Sequence, residues 1–445
     1  MRVLVIGAGT GGLCLAQALR RAGVEVEVFE RDRTRTDGLF GHRVGISPDG
    51  AGALRACLPG PLYDTFRATV AITPTYFTMY DERMRELLGM STGDFGAGAD
   101  DECSVSRITL RQVLLTGLED VVSFDRKFVR YEQHDNGTVT AFFADGSHAT
   151  GDLLVGADGT SSAVRRQHLP QARLVETGLF AVTGKLPLTD ETRALLPPRV
   201  LRGVSMVYAP HGNGAILHVM EFPWDHDGTL KHGIGGNDAE LLRAWPGLAF
   251  DNTRDYISWG FSAHRRRLPA DFMRLDGAAL HRIVLDATTT WHPDLRELFR
   301  LTDPSTCFPV NVRTSEPVEP WPSSSVTLIG DAIHTMTPGL GVGANTALRD
   351  ARILADALIT ADRDGTPVLD AVAAYERQMH DYAWPLVAKS LERFDGDAAL
   401  HKPVVGRLAL AGMRTGMRVV NRLPAVKRRM AAAQGADRGH GRQEG

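Results

Sequence analysis

The first thirty residues show the apolar and polar spacing of a strand, a helix and a second strand. Arg2–Ile6 is a short apolar run that leads into a glycine-rich turn. After the turn, apolar side chains recur at helical spacing until Gly23. Val24–Phe29 then alternates valine with glutamate and is followed by Glu30. The pattern predicts a βαβ unit. The apolar positions of its helix are Leu13, Leu15, Ala16, Leu19 and Ala22.

The turn of this unit has the spacing GxGxxG, which is typical of a dinucleotide-binding site. Gly7 permits the tight turn, Gly9 lets the backbone approach a pyrophosphate, and Gly12 lets the helix pack on the strand. The helix N-terminus offers free N–H groups. Glu30 follows where a carboxylate accepts hydrogen bonds from a ribose. A glycine-rich turn without a ligand is the alternative. The predicted cofactor contacts are Gly7, Gly9, Gly11, Gly12, Glu30 and Arg31.

A second strand-to-helix junction lies in the middle of the chain. The apolar strand Leu153–Val155 is followed by Asp158 and by a helix that begins near residues 161–162. Asp158 either binds a cofactor hydroxyl or caps this helix. Arg165 and Arg166 either belong to the site or form a solvated helix face. We include Asp158 among the predicted cofactor contacts.

A third junction lies about 320 residues after the first. The apolar run Val326–Ile329 leads into Gly330 and Asp331, and the loop Pro338–Gly343 leads into a helix from Asn345. One long cofactor that reaches from the first turn to the third explains both turns, and FAD is such a cofactor. Asp331 is placed for a ribityl hydroxyl or a phosphate. The helix N–H groups would stabilise negative charge on a reduced flavin. The predicted contacts here are Gly330, Asp331, Gly341, Val342, Gly343 and Asn345.

Two residues of the third junction are candidates for catalysis. His334 could act as a base, although a histidine in such a turn is more often structural. Pro338 opens the glycine-rich loop. The sequence offers no catalytic triad and no metal-ligand cluster, and we predict no metal. This suits an enzyme whose cofactor carries the chemistry.

The region from about 176 to 300 predicts a β-sheet. Its strand-like runs are Leu179–Leu186, Val204–Ala209, Ala215–Phe222 and Tyr256–Ala263. Side chains that alternate towards one face would form an apolar, aromatic pocket with a few polar groups, suited to a phenol, quinone or polyketide. For each residue, a place in the sheet core is the alternative. The candidate pocket residues are Met206, Tyr208, His218, Met220, Trp259 and Phe261.

The segment after about residue 360 predicts helices at the periphery. Arg414, Arg418 and Arg422 are spaced four apart among apolar residues, which indicates an amphipathic basic helix. Attachment to a membrane surface is one interpretation. Packing on the acidic remainder of the protein is the interpretation that we favour. Residues after Gln434 are expected to be disordered.

Composition narrows the class of protein further. The chain has 445 residues and a net charge of -3, which argues against a nucleic-acid partner. Its four cysteines lie far apart without a CxxC pair, so that neither a disulfide framework nor a zinc site is indicated. We expect a cytoplasmic protein without a signal peptide or a membrane span. The sequence leaves the oligomeric state open.

Taken together, the three junctions resemble the motifs of the FAD-dependent aromatic hydroxylases, the single-component flavoprotein monooxygenases of the para-hydroxybenzoate hydroxylase type. The DG motif of that family matches Asp152, Gly156, Ala157, Asp158, Gly159 and Arg165. Its GD motif matches Gly330, Asp331, His334, Pro338, Gly341, Gly343 and Asn345. By context, Arg43 resembles the arginine that reaches the flavin, and Arg107 resembles the one near the FAD phosphate or ribose.

The resemblance implies a mechanism. NADPH or NADH would reduce FAD, and O2 would form a C4a-hydroperoxyflavin that hydroxylates or epoxidises a small molecule. The resemblance also implies that the nicotinamide binds only transiently. This suits the sequence, because Gly233–Gly236 lacks the spacing of a second dinucleotide site. A flavin-dependent reductase of the same fold and a non-catalytic flavin-binding protein are the alternatives.

The predicted fold class is α/β, with a doubly wound Rossmann-type FAD domain interleaved with a β-sheet substrate domain, plus C-terminal helices. The FAD domain is assigned to 1–73, 103–175 and 302–358, and the substrate domain to 74–102 and 176–301. A helical extension is assigned to 359–434, and a disordered tail to 435–445.

Overall fold

The computed structural model describes residues 1–35, 41–91, 102–223, 255–402 and 404–439, and a parallel β-sheet lies at its centre. In spatial order its strands are β17 (Val326–Leu328), β11 (Leu153–Gly156), β1 (Arg2–Ile6), β2 (Glu25–Phe29) and β7 (Val122–Ser123). The pairings among these strands are parallel. Because β1, β11 and β17 are neighbours, the three strand ends predicted to hold a cofactor lie along one edge of this sheet.

Helices connect and cover these strands, and the first of them joins β1 to β2 as the pattern predicted. Leu13, Leu15 and Leu19 on its buried stripe are 0% exposed. Each such leucine stabilises the fold by about 1.5–3 kcal/mol. In chain order the helices of the described residues are α1 (Thr10–Arg21), α2 (Pro48–Cys57), α3 (Gly60–Ala68), α4 (Arg107–Leu115), α5 (Ala163–His168), α6 (Asp190–Ala194), α7 (Pro198–Leu201), α8 (Gly277–Ala287), α9 (Pro293–Arg300), α10 (Asp331–His334), α11 (Gly343–Asp364), α12 (Val368–Arg393), α13 (Val405–Asn421) and α14 (Pro424–Asp437).

A larger mixed sheet forms the second layer. In spatial order its strands are β16 (Phe308–Ser315), β12 (Leu174–Pro187), β15 (Tyr256–His264), β14 (Gly214–Met220), β13 (Gly203–Tyr208), β4 (Tyr76–Asp81) and β5 (Glu86–Ser91). The four runs predicted between 176 and 300 are therefore confirmed as neighbouring strands. Two smaller sheets accompany it, formed by β10 (His148–Gly151), β9 (Val139–Phe143) and β8 (Phe128–Gln133), and by β3 (Arg43–Ile46) with β6 (Cys103–Ser106).

The two faces of the mixed sheet have different neighbours. One face packs on α8 and α9, where Trp259 lies 5.0 Å from Phe299 between ring centroids. The other face is turned towards β3, because the Tyr256 hydroxyl donates to the carbonyl oxygen of His42 at 2.7 Å. The mixed sheet is thus anchored to the ribbon that carries Arg43.

Two of the expected boundaries differ from the structure. β16 lies in the range assigned to the FAD domain, but it pairs with β12 of the mixed sheet. Helical structure continues to Asp437, so that residues 435–439 are not a disordered tail, while 440–445 lie outside the described residues. Gly233–Gly236 also lies outside the described residues.

The basic C-terminal helix packs on acidic groups, which was the favoured interpretation. Arg414 of α13 forms an ion pair with Glu82, and Arg418 lies 3.5 Å from the buried Asp81 carboxylate. Arg422 is exposed. A search of the described helices finds none that is both long and apolar enough to cross a membrane.

Candidate functional site

The first glycine-rich turn is tightly packed and leaves the start of α1 open. Gly7 has a φ of +111°, and a Cβ there would lie 2.5 Å from the carbonyl oxygen of Ala157. A Cβ at Gly12 would clash with the carbonyl oxygen of Gly7. Within the described residues, no side chain caps α1, whose first turn also lacks an acidic residue. The turn therefore has the geometry expected of an anion site at a helix N-terminus.

Glu30 lies beside this turn at the end of β2. Its carboxylate accepts hydrogen bonds from Ala8 N at 2.7 Å and from Asp32 N at 3.0 Å. Arg111 lies 3.9 Å from Glu30 and 3.3 Å from Asp32, whereas Arg31 is exposed. Sequence reasoning missed Arg111. Its position four residues after Arg107, on the same face of α4, was the available signal.

The second junction contributes a helix cap and a buried arginine. Asp158 accepts hydrogen bonds from Ala163 N at 2.6 Å and Val164 N at 3.3 Å, so that it caps α5. Its other oxygen is buried and has no partner among the described residues. Arg165 is 4% exposed and donates to the carbonyl oxygen of Ala332 at 2.8 Å. Arg165 is therefore not part of a solvated face, whereas Arg166 is exposed.

The third junction places Asp331 beside the second junction and close to Arg107 of α4. Gly330 has a φ of +61°, and the Asp331 carboxyl is hydrogen-bonded by the side chain of Thr160. Although solvent reaches this carboxyl, the surrounding protein desolvates it and raises its pKa, while His334 and Arg107 act in the opposite direction. Arg107 is exposed at the start of α4. The guanidinium of Arg107 is thus close to the Asp331 carboxyl, which is predicted to bind FAD.

Helix α1, which follows the first turn, packs against α11, which follows the third turn. A Cβ at Gly11 would lie 3.2 Å from the carbonyl oxygen of Ala347, and one at Gly330 would lie 2.9 Å from Ala347 Cβ. α11 begins at Gly343, two residues before the predicted start, and no described side chain caps it. The two uncapped helix N-termini therefore belong to one site, as a two-ended cofactor requires.

His334 is buried in a polar network rather than open to a ligand. It is 1% exposed, and its Nε2 lies 2.6 Å from Asp350, which also accepts from Gly330 N at 2.6 Å and from the Tyr382 hydroxyl at 2.5 Å. Burial lowers the pKa of His334, but the carboxylates of Asp350 and Asp331 act in the opposite direction, and the pKa is raised overall. The structural interpretation of His334 therefore fits its surroundings better than a base role. Asp350 was missed, because nothing local marks a helix aspartate as buried.

Asn345 holds the ribbon β3 against α11. Its side chain accepts from Ser47 N at 2.8 Å and donates to Gly45 O at 2.9 Å and Gly341 O at 3.2 Å. The side-chain amide of Asn345 thus forms its hydrogen bonds with backbone groups of the protein. Pro338, the other catalytic candidate, is exposed at the start of the loop.

Arg43 lies on β3 between the third junction and the mixed sheet. Its guanidinium donates to Ser104 Oγ at 2.7 Å and 3.1 Å. Burial lowers the pKa of Arg43 to about 10, and the nearby Arg438 contributes. Burial and Arg43 together lower the pKa of His218 well below its usual value, so that this imidazole is neutral. The Nδ1 atom of His218 is buried without a partner among the described residues.

The six candidate pocket residues divide between the two faces of the mixed sheet. Four of them, Met206, Tyr208, His218 and Met220, share the face that is turned towards β3. Trp259 and Phe261 are each 1% exposed and lie in the core against α8 and α9. For Trp259 and Phe261 the alternative, a place in the sheet core, is correct. Trp259 pairs with Leu217 rather than with His218, and neighbouring residues of a strand point to opposite faces of the sheet.

Comparison with known proteins identifies the family. A family model described as FAD binding domain matches residues 103–390, more than half of the chain, and one described as NAD(P)-binding Rossmann-like domain matches 5–36. The crystal structure of a putative FAD containing monooxygenase from Photorhabdus luminescens is 33% identical, with a TM-score of 0.74, over 88% of this chain and 97% of that one. The chain belongs to the FAD-dependent monooxygenases of the aromatic hydroxylase type.

Two further members of the family show how much of each protein is shared. A dual O-methyltransferase/FAD-dependent monooxygenase, CTB3 of Cercospora beticola, is 35% identical over 86% of this chain and 44% of its own length. The chain thus spans about half the length of the first curated relatives that it matches. An FAD-dependent urate hydroxylase of Klebsiella oxytoca is 27% identical over 95% of this chain and 97% of its own length.

FAD is the cofactor of this family, and the residues present fit it. Glycines keep side chains out of the two turns, and both adjoining helices have uncapped N-termini in the described structure. The partnerless oxygen of Asp158 and the carboxyl of Asp331 lie at the other two strand ends of the same edge. The site therefore offers backbone N–H groups for phosphates and carboxylates for hydroxyl groups.

Proposed function

We propose that this chain is an NAD(P)H-dependent monooxygenase that transfers one oxygen atom of O2 to an apolar, aromatic or polyketide-like small molecule. The product is a hydroxylated or epoxidised molecule. One observation carries the proposal: β3 joins the start of α11 to the half-buried face of the mixed sheet. Asn345 binds one end of β3, and Tyr256 binds the backbone just before the other. A flavin at α11 would thus have the sheet face as its neighbour.

The residues of the three junctions would hold FAD in place. The open N–H groups of α1 would bind the pyrophosphate, and Glu30 would bind the ribose. Asp331 and Asp158 would accept hydrogen bonds from hydroxyl groups. FAD, when bound, accepts a hydride from NAD(P)H and activates O2. The N-terminus of α11 would stabilise negative charge at the pyrimidine end of the ring.

The mixed sheet would bind the substrate and exclude water. Met206, which is half-buried, offers an adaptable apolar contact. Met220 is 0% exposed and packs in a small apolar cluster with Phe222 and Tyr256 beside it. Tyr208 and the neutral imidazole of His218 are polar groups of the same face, and burial raises the pKa of Tyr208. Such a face suits a flat apolar molecule with few polar groups. The urate hydroxylase among the relatives supports hydroxylation of a small molecule.

The nicotinamide of NADPH or NADH would bind only transiently. We place the reaction in the reducing cytoplasm, because the four cysteines of the chain are buried and form no disulfide within the described residues.

The decisive experiment follows oxygen into a product. The purified protein would be loaded with FAD and tested for NAD(P)H oxidation with phenols, quinones and aromatic polyketides under ¹⁸O2. We expect stimulated NAD(P)H oxidation and a product that is heavier by one ¹⁸O atom. Stimulated oxidation that yields only hydrogen peroxide across the panel would favour a reductase of the same fold. Bound FAD without any stimulation would favour a non-catalytic flavin protein.

A further inference from the structure

Arg438, the residue directly after α14, contacts the loop that precedes α11. Its Nη1 donates to Leu340 O at 2.8 Å and more weakly to Gly341 O at 3.4 Å. Its Nε and Nη2 donate to the two carboxylate oxygens of Glu102 at 2.5 Å and 2.6 Å. Such bidentate pairs fix the plane of the guanidinium. Arg438 therefore binds two carbonyl groups of a loop that lies almost 100 residues earlier in the sequence.

The end of α14 is firmly seated at this place. Ala431 and Gly435 are buried, and Lys389 of α12 forms an ion pair with Asp437 at 2.6 Å. Gly439 has a φ of +97°, and a Cβ there would clash with the Asp49 carboxylate at the start of α2. Arg438 thus lies between two anchored neighbours, and its side chain is 14% exposed.

The contact between Arg438 and the loop determines the direction in which the N–H groups of the loop point. Gly341 has a φ of +65°, and a Cβ there would lie 3.2 Å from Arg438 Nη1. Its carbonyl oxygen also accepts from Asn345 Nδ2 at 3.2 Å. Because C=O and N–H point in opposite directions across a trans peptide, this fixes the direction of the Val342 N–H. Val342 is the residue from which α11 starts.

We propose that Arg438 is a positioning residue of the flavin site, and that α14 therefore belongs to the cofactor site. Arg438 acts through the loop: it holds the peptides from Leu340 to Val342 so that the N-terminus of α11 faces the flavin. The inference rests on the proposed placement of FAD, but it depends neither on the substrate nor on oxygen transfer.

The flavin site does not depend on the positive charge of Arg438. Glu102 neutralises it at hydrogen-bond distance, and the two act on the pKa of Arg43 in opposite directions. Holding the loop is the role that remains. A lysine can supply one donor to Leu340 O, but it cannot bind Glu102 and the loop with a planar fork.

The test compares three single substitutions on α14 and its end. Arg438→Met keeps the length of the side chain and removes the donors, and Arg438→Lys restores one of them. Arg429→Met is the matched control, because Arg429 is exposed on the same helix. The dissociation constant of FAD is measured by fluorescence titration of the apoprotein, and the flavin midpoint potential by dye-coupled reduction.

We expect Arg438→Met to weaken FAD binding about tenfold and to make the midpoint potential more negative, since the open N–H groups no longer stabilise the reduced ring. Arg438→Lys should recover part of both changes, and Arg429→Met should match the wild type. A wild-type FAD affinity and potential in Arg438→Met overturn the inference. If that variant does not fold, Arg438→Lys decides: wild-type values for both quantities also overturn it.

The two proposals fail in different ways. If no product carries ¹⁸O but Arg438→Met still loses FAD affinity, the oxygenase proposal fails and the positioning role stands. If product forms and Arg438→Met behaves as the wild type, the positioning role fails alone.

Discussion

The buried carboxylate of Asp350 shows how much one side chain decides at the residue scale. It binds Gly330 N, His334 Nε2 and the Tyr382 hydroxyl, and thereby fixes the backbone directly before Asp331. An acceptor that holds three donors in a dry environment is costly to remove, because the donors are left unsatisfied. The third junction thus depends on a residue that does not itself face the cofactor.

Asp331→Ala should weaken FAD binding by at least tenfold, about 1.4 kcal/mol, because a carboxyl that accepts from the cofactor is lost. The ratio of flavin to protein absorbance in the purified variant measures the effect. Asp364→Ala, which removes an exposed aspartate at the end of α11, is the control. Equal flavin content in the Asp331 variant and the wild type would contradict the assignment.

The buried His334 and the half-buried His168 should give opposite pH dependences of stability. The raised pKa of His334 adds stability that is complete below pH 6.5 and is lost as the pH rises through the pKa of the folded state. Burial lowers the pKa of His168 from 6.5 to about 4, so its contribution is present above pH 6.5 and is lost as the pH falls towards 4.

Urea unfolding of the wild type, His334→Gln and His168→Gln between pH 5 and 9 separates these effects. The difference between the wild type and His334→Gln should shrink towards alkaline pH, and that for His168→Gln towards acidic pH. A constant difference for either variant contradicts the corresponding shift.

At the scale of elements, the mixed sheet separates a structural face from a face available to substrate. Alternation along β13, β14 and β15 was visible in the sequence. Which residues of β15 share a face with those of β14 depends on their register, and Trp259 pairs with Leu217 rather than with His218. Alternation within each strand therefore predicted that the strand has two faces, but it did not show which face of one strand lies beside which face of the next.

Phe261→Ala should destabilise the fold by about 3–5 kcal/mol, because it leaves a cavity against α8 and α9. Met206→Ala, on the opposite face, should cost much less stability and should raise the KM of a substrate found in the screen. Chemical unfolding and steady-state kinetics measure the two quantities. Similar losses of stability in both variants would argue against the division of the faces.

At the scale of the whole molecule, β3 and α14 join parts that are far apart in the sequence. Asn345 spans α11 and β3 with hydrogen bonds across about 300 residues, and Arg438 ties the C-terminal helix to the loop before α11. Changes at these joints should therefore affect the cofactor site and the sheet face together.

Asn345→Ala should destabilise the protein by about 1–3 kcal/mol, since it leaves buried backbone groups unsatisfied. It should also weaken FAD binding and raise the substrate KM, because β3 is no longer held to α11. Asn421→Ala, which removes an asparagine bonded to Glu86 and Gly89 at the far edge of the sheet, is the control. A change in stability alone, with normal FAD affinity and KM, would contradict the coupling.

The sequence by itself determined the βαβ unit, the three strand ends and their glycines, and hence FAD as the cofactor. These features depend on local backbone geometry: a tight turn at Gly7, an open helix N-terminus, and strands bounded by turn residues. Only the tertiary structure decided the faces of Trp259 and Phe261, the burial of His334 and Arg165, and the return of Arg438 to the flavin loop. The physical reason is that strand register and buried polar pairs join residues far apart in the chain, and spacing within one segment carries no information about such partners.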